Sequence, residues 1–168
     1  MCILCIPNVF AQDDCKLCGD WIGTCSLDHD FDTINEVIIK REYKLVVRIK
    51  QGEDGPIVRV KMVPTDGGDT WYLDNCNIME SSDTYLQWSI LRSVDTDCDD
   101  ESYREAAYWH RVGKVERYFV ESVKYRNSVL HFNRDMWVVY YDTKGMSITT
   151  KTFKNILSTT LYKDGDDW

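Results

Sequence analysis

Long apolar runs are missing from this chain. A membrane-crossing helix needs roughly 20 consecutive apolar residues, and the opening stretch "MCILCIPNVFAQ" stops far short of that. Basic charge is scarce as well: 20 Lys and Arg stand against 28 Asp and Glu, a net charge of -8. Phosphate recognition needs a basic footprint, so no nucleic-acid partner is expected, and anionic membrane surfaces are disfavoured for the same reason. Histidine is sparse and scattered at His29, His110 and His131, without the close pair or second CxxC that a zinc site requires. The chain has no G-x-S-x-G, H-E-x-x-H, P-loop or dinucleotide fingerprint, so no catalytic residues, metal or cofactor are expected. Asp95, Asp97 and Asp99 alternate like the start of a calcium loop. Asp100, however, stands where the turn glycine belongs and Ala106 where the bidentate Glu belongs. "DTDCDDE" and the similar "DHDFD" are therefore expected to be solvated loops.

What remains is a chain of 168 residues with 43% apolar and 12% aromatic content, enough for one domain with a real core. Its first residues read as the end of a secretory signal peptide: an apolar run, then Val9-Phe10-Ala11, then Gln12-Asp13-Asp14. Residues 1–11 are the expected signal remnant and 12–168 the single domain. That places the protein outside the cytoplasm, in the periplasm, at the cell surface or extracellular. Beyond Ala11 five cysteines remain, Cys15, Cys18, Cys25, Cys76 and Cys98, whose pairing cannot be read from spacing. Cys15-Lys-Leu-Cys18 is a CxxC. A redox site would want it between a strand and a helix, whereas here it precedes a strand, which suits a structural disulfide or an unpaired thiol.

Alternation dominates the rest of the chain. Tyr43, Leu45, Val47 and Ile49 point one way, while Lys44, Arg48 and Lys50 point the other. After "QGEDGP", Val58, Val60 and Met62 repeat the pattern. "PTDGGD" leads to "TWYLDNCNIM", and "ESSD" leads to Leu86, Trp88 and Ile90 on one face. "KVERYFVESVKY", a tight "RNS" turn, "VLHFNRDMWVVYYD", "TKG" and "MSITTKTFKNILSTTLYK" complete the series. Half-buried strands joined by Gly/Asp/Asn clusters describe an antiparallel all-β protein. Ser102-Tyr-Arg-Glu105 is a capping box and Gly113 a stop, predicting one short helix over 103–111.

Open sheet edges invite aggregation, and closure removes them. The expected fold is a single up-and-down β-barrel of about 8–10 strands, a β-sandwich being the alternative. Gly19-Asp20-Trp21, opening the first strand, resembles the G-x-W motif of lipocalins and the wider calycin group. The resemblance implies that Trp21 plugs one barrel end and that Gly19 permits close backbone approach. The family's later motifs, in particular the Arg that packs on the Trp, find no match in the chain.

A small barrel encloses one cavity lined by its inward faces. On "KVERYFVESVKY" the more apolar face carries Arg117, Phe119 and Glu121, and Trp88, Met136 and Tyr140 are further lining candidates. Arg117 and Glu121 lie roughly 13 Å apart along the strand, too far to pair. A small apolar or amphipathic ligand is the expected partner. The alternative function is a carbohydrate- or protein-recognition module that uses exposed aromatics. Buried tryptophans favour the first, and exposed ones on a common face favour the second.

Overall fold

The computed structural model describes residues 15–32, 37–96 and 112–164. The expected signal remnant, the helix expected over 103–111 and Cys98 lie outside the described residues. Everything regular among the described residues is β. The strands are β1 (Gly19–Asp32), β2 (Val37–Gly52), β3 (Gly55–Pro64), β4 (Trp71–Leu73), β5 (Asn77–Ser81), β6 (Tyr85–Asp95), β7 (Val112–Arg126), β8 (Val129–Asp142) and β9 (Ser147–Asp164). No helix among them is long and apolar enough to cross a membrane.

Two of the hairpin turns show how local chemistry sets them. Asn127 and Ser128 both take positive φ, 53° and 65°, the pairing a two-residue primed turn demands, and Arg126 then faces Val129 across the ladder. At the β8–β9 turn the Asp142 carboxylate accepts the backbone N–H groups of Lys144 and Met146 at 2.8 and 2.9 Å. The strands differ from expectation at two points. "TWYLDNCNIM" is not one strand, because Asn75 adopts φ 60° and divides it into β4 and β5. Asp28–Asp32, expected as a loop, continues β1 with a bulge between Asp28 and Asp30.

The strands form one antiparallel sheet in the order β4-β3-β2-β1-β9-β8-β7-β6-β5. Sequence neighbours are spatial neighbours throughout, except that β1 pairs with β9 and β4 does not pair with β5. The expectation of a closed barrel is corrected at that seam: β4 has three residues, all paired to β3, and offers β5 no ladder. The sheet is nevertheless strongly curled. β3 and β8 lie four strand spacings apart, about 19 Å if flat, yet Arg134 Nη2 of β8 meets Met62 Sδ of β3 at 3.6 Å. Ile49 and Pro56 also share one cleft with Ser81 and Leu86. The inner face therefore folds over a single main core of Trp21, Tyr43, Leu45, Val47, Val60, Met62, Leu86, Trp88, Phe132 and Leu161 with their neighbours. A smaller cluster, Val112, Val115, Val138 and Tyr140, sits further along β7 and β8.

Candidate functional site

Strand register builds the inner face of β6, β7 and β8 in rows. Trp88 faces Glu121, and Glu121 faces Arg134. Directly opposed residues bring their Cβ atoms to about 5 Å, so the three side chains must meet. Arg134 Nε donates to Glu121 Oε1 at 2.6 Å, and Trp88 Nε1 donates to Oε2 at 2.7 Å. Arg134 Nη2 closes the ion pair on Oε1. Trp88, Glu121 and Arg134 are essentially inaccessible. A buried charge is tolerable only when paired and hydrogen-bonded, and this carboxylate is satisfied on both oxygens.

The next row is Ile90, Phe119 and Met136, followed by Arg117 opposite Val138, then Val115 opposite Tyr140. Exposure rises at the middle of this face, where Phe119, Met136 and Arg117 are half-buried, and falls again at Val138, Val115 and Tyr140. The Phe119 ring lies 4.4 Å from the Arg134 guanidinium carbon and 5.0 Å from that of Arg92. Arg92 is the extra residue of a bulge between Leu91 and Ser93, and the bulge lays this exposed side chain on an inward-facing ring.

All six lining candidates thus fall on one face in four consecutive rows. Trp88 and Glu121 form its dry floor, while Phe119, Met136 and Arg117 form its wetter part, with Tyr140 buried in the smaller cluster. Glu121 takes Trp88 and Arg134 as partners. Arg134 was missed, although its signal was present: it shares the parity of Met136 and Tyr140 on β8.

The opposite end of the core carries the Gly19-Asp20-Trp21 motif. Trp21 is buried, its indole donating to the Leu17 carbonyl at 2.8 Å and its ring edge-on to Tyr125 at 6.0 Å. Gly19 has φ 127°, and a Cβ there would stand 3.1 Å from Lys163 Cε. Lys163 Nζ in turn lies 5.7 Å from the Trp21 ring centre. Asp20 is held by Arg48, its cross-strand partner, through two 2.6 Å hydrogen bonds. Gly23 is needed for packing: a Cβ would come within 2.6 Å of the Thr160 carbonyl.

Cys15 and Cys18 form a disulfide, whereas Cys25 and Cys76 are free. Burial pushes the Cys25 thiol up to about 11 and the Cys76 thiol up to about 12, so neither is a ready nucleophile. On the outer face, Glu116 accepts from Lys114 Nζ at 2.8 Å, Tyr118 Oη at 2.6 Å and Tyr141 Oη at 2.8 Å. Those hydrogen bonds, led by Lys114, draw its carboxyl down to about 2. Among the described residues no cluster of three or more His, Cys, Asp or Glu side chains is placed to hold a metal. Of the described tryptophans, Trp21 and Trp88 are buried, Trp137 is half-buried and Trp71 is exposed. No protein-family model, curated protein or solved structure matches the chain.

Proposed function

We propose that the protein is an exported, non-catalytic, lipocalin-like binder of a small amphipathic ligand, its sheet a barrel left open along β4 and β5. The carrying observation is the half-buried stretch of the inner face. Phe119, Met136 and Arg117 lie between the buried Trp88–Glu121–Arg134 row and the smaller buried cluster, and ligand sites commonly combine an apolar lining with a few polar groups that fix orientation. The ligand lies above the Trp88–Glu121–Arg134 row, against Phe119 and Met136, with an acidic group toward Arg117 and Arg92. A planar guanidinium suits a carboxylate.

Three further features support the reading. Trp21 is buried in the main core with Lys163 near its ring, which suits the G-x-W resemblance. The burial of Trp21 and Trp88 speaks for an enclosed core and against an aromatic recognition face. A disulfide suits an oxidising compartment.

The test is titration of the wild type, Arg117→Met and Arg92→Met with a panel of fatty acids and other apolar acids, read by tryptophan fluorescence. Loss of a charge-assisted hydrogen bond is worth roughly 1.5–3 kcal/mol, about a 10- to 150-fold weaker Kd. If the wild type binds no panel member, or all three bind equally, the assignment is wrong.

A further inference from the structure

Cys15 and Cys18 close a small covalent ring around Lys16 and Leu17, and the Cys18 N–H donates to the Cys15 carbonyl at 3.1 Å across it. Leu17 is the ring's inward residue: its side chain is packed in the main core, and its carbonyl is the acceptor for the Trp21 indole. The ring therefore holds both an apolar stopper and the polar partner of the core tryptophan beside it. Cys15, Lys16 and Leu17 line a cleft of about 310 Å³ together with Ser82 and Asp83.

We propose that the Cys15–Cys18 bond is a site of thiol–disulfide exchange with an external dithiol, and that its reduction loosens the Leu17–Trp21 contact. The proposal is independent of the ligand-binding reading. The thiolate of the dithiol attacks Cys15 Sγ, Cys15 being the member of the pair that lines the cleft. A mixed disulfide forms, the protein's S–S bond breaks and Cys18 Sγ leaves as a thiolate. The reagent's second thiol then attacks the mixed disulfide, closing the reagent's own disulfide and releasing Cys15. Both cysteines end protonated, and two electrons have passed from reagent to protein. Lys16, between the two cysteines, places a positive charge beside the departing thiolate, which favours exchange.

The reductant has to come from outside. Among the described residues the free thiols, Cys25 and Cys76, pack against the core and resist ionisation. The consequence is local because the bridged cysteines are only three residues apart. Such a short loop constrains the unfolded chain less than a long one, so reduction frees Leu17 without unfolding the sheet.

The experiment treats the full, oxidised chain with dithiothreitol in native buffer, alkylates at intervals, and locates the labels by mass spectrometry. Near-UV circular dichroism is followed in parallel on the wild type and Trp21→Phe. Cys15 and Cys18 should label together, at least about 10-fold faster than Cys25, whose burial shields its thiol and pushes it up to about 11. The dichroism should change in the wild type, change little in Trp21→Phe, and return on reoxidation. Cys15→Ser/Cys18→Ser should show the reduced spectrum with no reagent added. A bond that opens no faster than Cys25 labels, or that opens with no change at Trp21, overturns the proposal. So does finding both cysteines as free thiols in protein kept under oxidising conditions.

Discussion

Replacing Arg134 by Met strands a carboxylate in the core. Glu121 is wholly inaccessible, and without Arg134 its only remaining side-chain donor among the described residues is the Trp88 indole. Breaking a buried pair by removing one partner costs about 3–5 kcal/mol, because the surviving charge is uncompensated. Against a total stability of roughly 5–15 kcal/mol, the loss is large. Glu121→Leu should cost a similar amount, leaving a buried guanidinium against Met62 and Phe119. Combining the two removes both charges. What then remains unsatisfied is the Trp88 N–H, worth about 1–3 kcal/mol, so the double variant should be more stable than either single one. Adding Trp88→Phe should recover most of the remainder. Urea unfolding of the wild type and the four variants, with m held constant as a check on two-state behaviour, gives the comparison. The rank order carries the argument: single variants that lose under 1 kcal/mol, or a double variant as unstable as the sum of the singles, would refute a desolvated pair.

Trp21→Ala should cost about 3–5 kcal/mol, the range for deleting a packed aromatic, whereas a loss below 1 kcal/mol in the same urea assay would mean that the ring stops nothing. Glu116 gives a pH signature. Its carboxyl is held near 2 against an ordinary value near 4.5, so its stabilisation is complete above about 4.5 and disappears as pH falls toward 2. The melting temperature of Glu116→Gln should therefore fall less steeply than that of the wild type across that window; parallel curves would dismiss the cluster as a stabilising feature.

The strand content was legible because each strand has one core face and a two-residue repeat survives local reading. Leu86, Trp88 and Ile90 announce β6 without any knowledge of its neighbours. The seam was not legible, since the break in "TWYLDNCNIM" over residues 74–76 centres on Asn75, a residue type that tolerates positive φ without requiring it. The site was half legible. Parity put Phe119, Glu121 and Met136 on one face, but a charge inside an alternating run reads as solvent-facing until a partner is known. Glu121 and Arg134 are 13 residues apart, and their meeting depends on β7–β8 register. Lys163 on Trp21 is further out of reach, because it follows from β1–β9 pairing across almost the whole chain.

That pairing and the unpaired seam are two different kinds of break. β1 and β9 are joined by hydrogen bonds but not by adjacent sequence, with Asp20 beside Asp164. β4 and β5 are joined by sequence but not by hydrogen bonds. Were the covalent cut moved from one place to the other, with the chain severed between β4 and β5 and spliced between β9 and β1, every strand would lie beside its neighbour in sequence. The same sheet would then be a plain meander, free of the ladder that spans more than 140 residues in Asp20–Asp164. Folding rate falls as such long-range contacts accumulate. In the native order, the three residue pairs between β1 and β9 are the ladder of greatest sequence separation in the sheet.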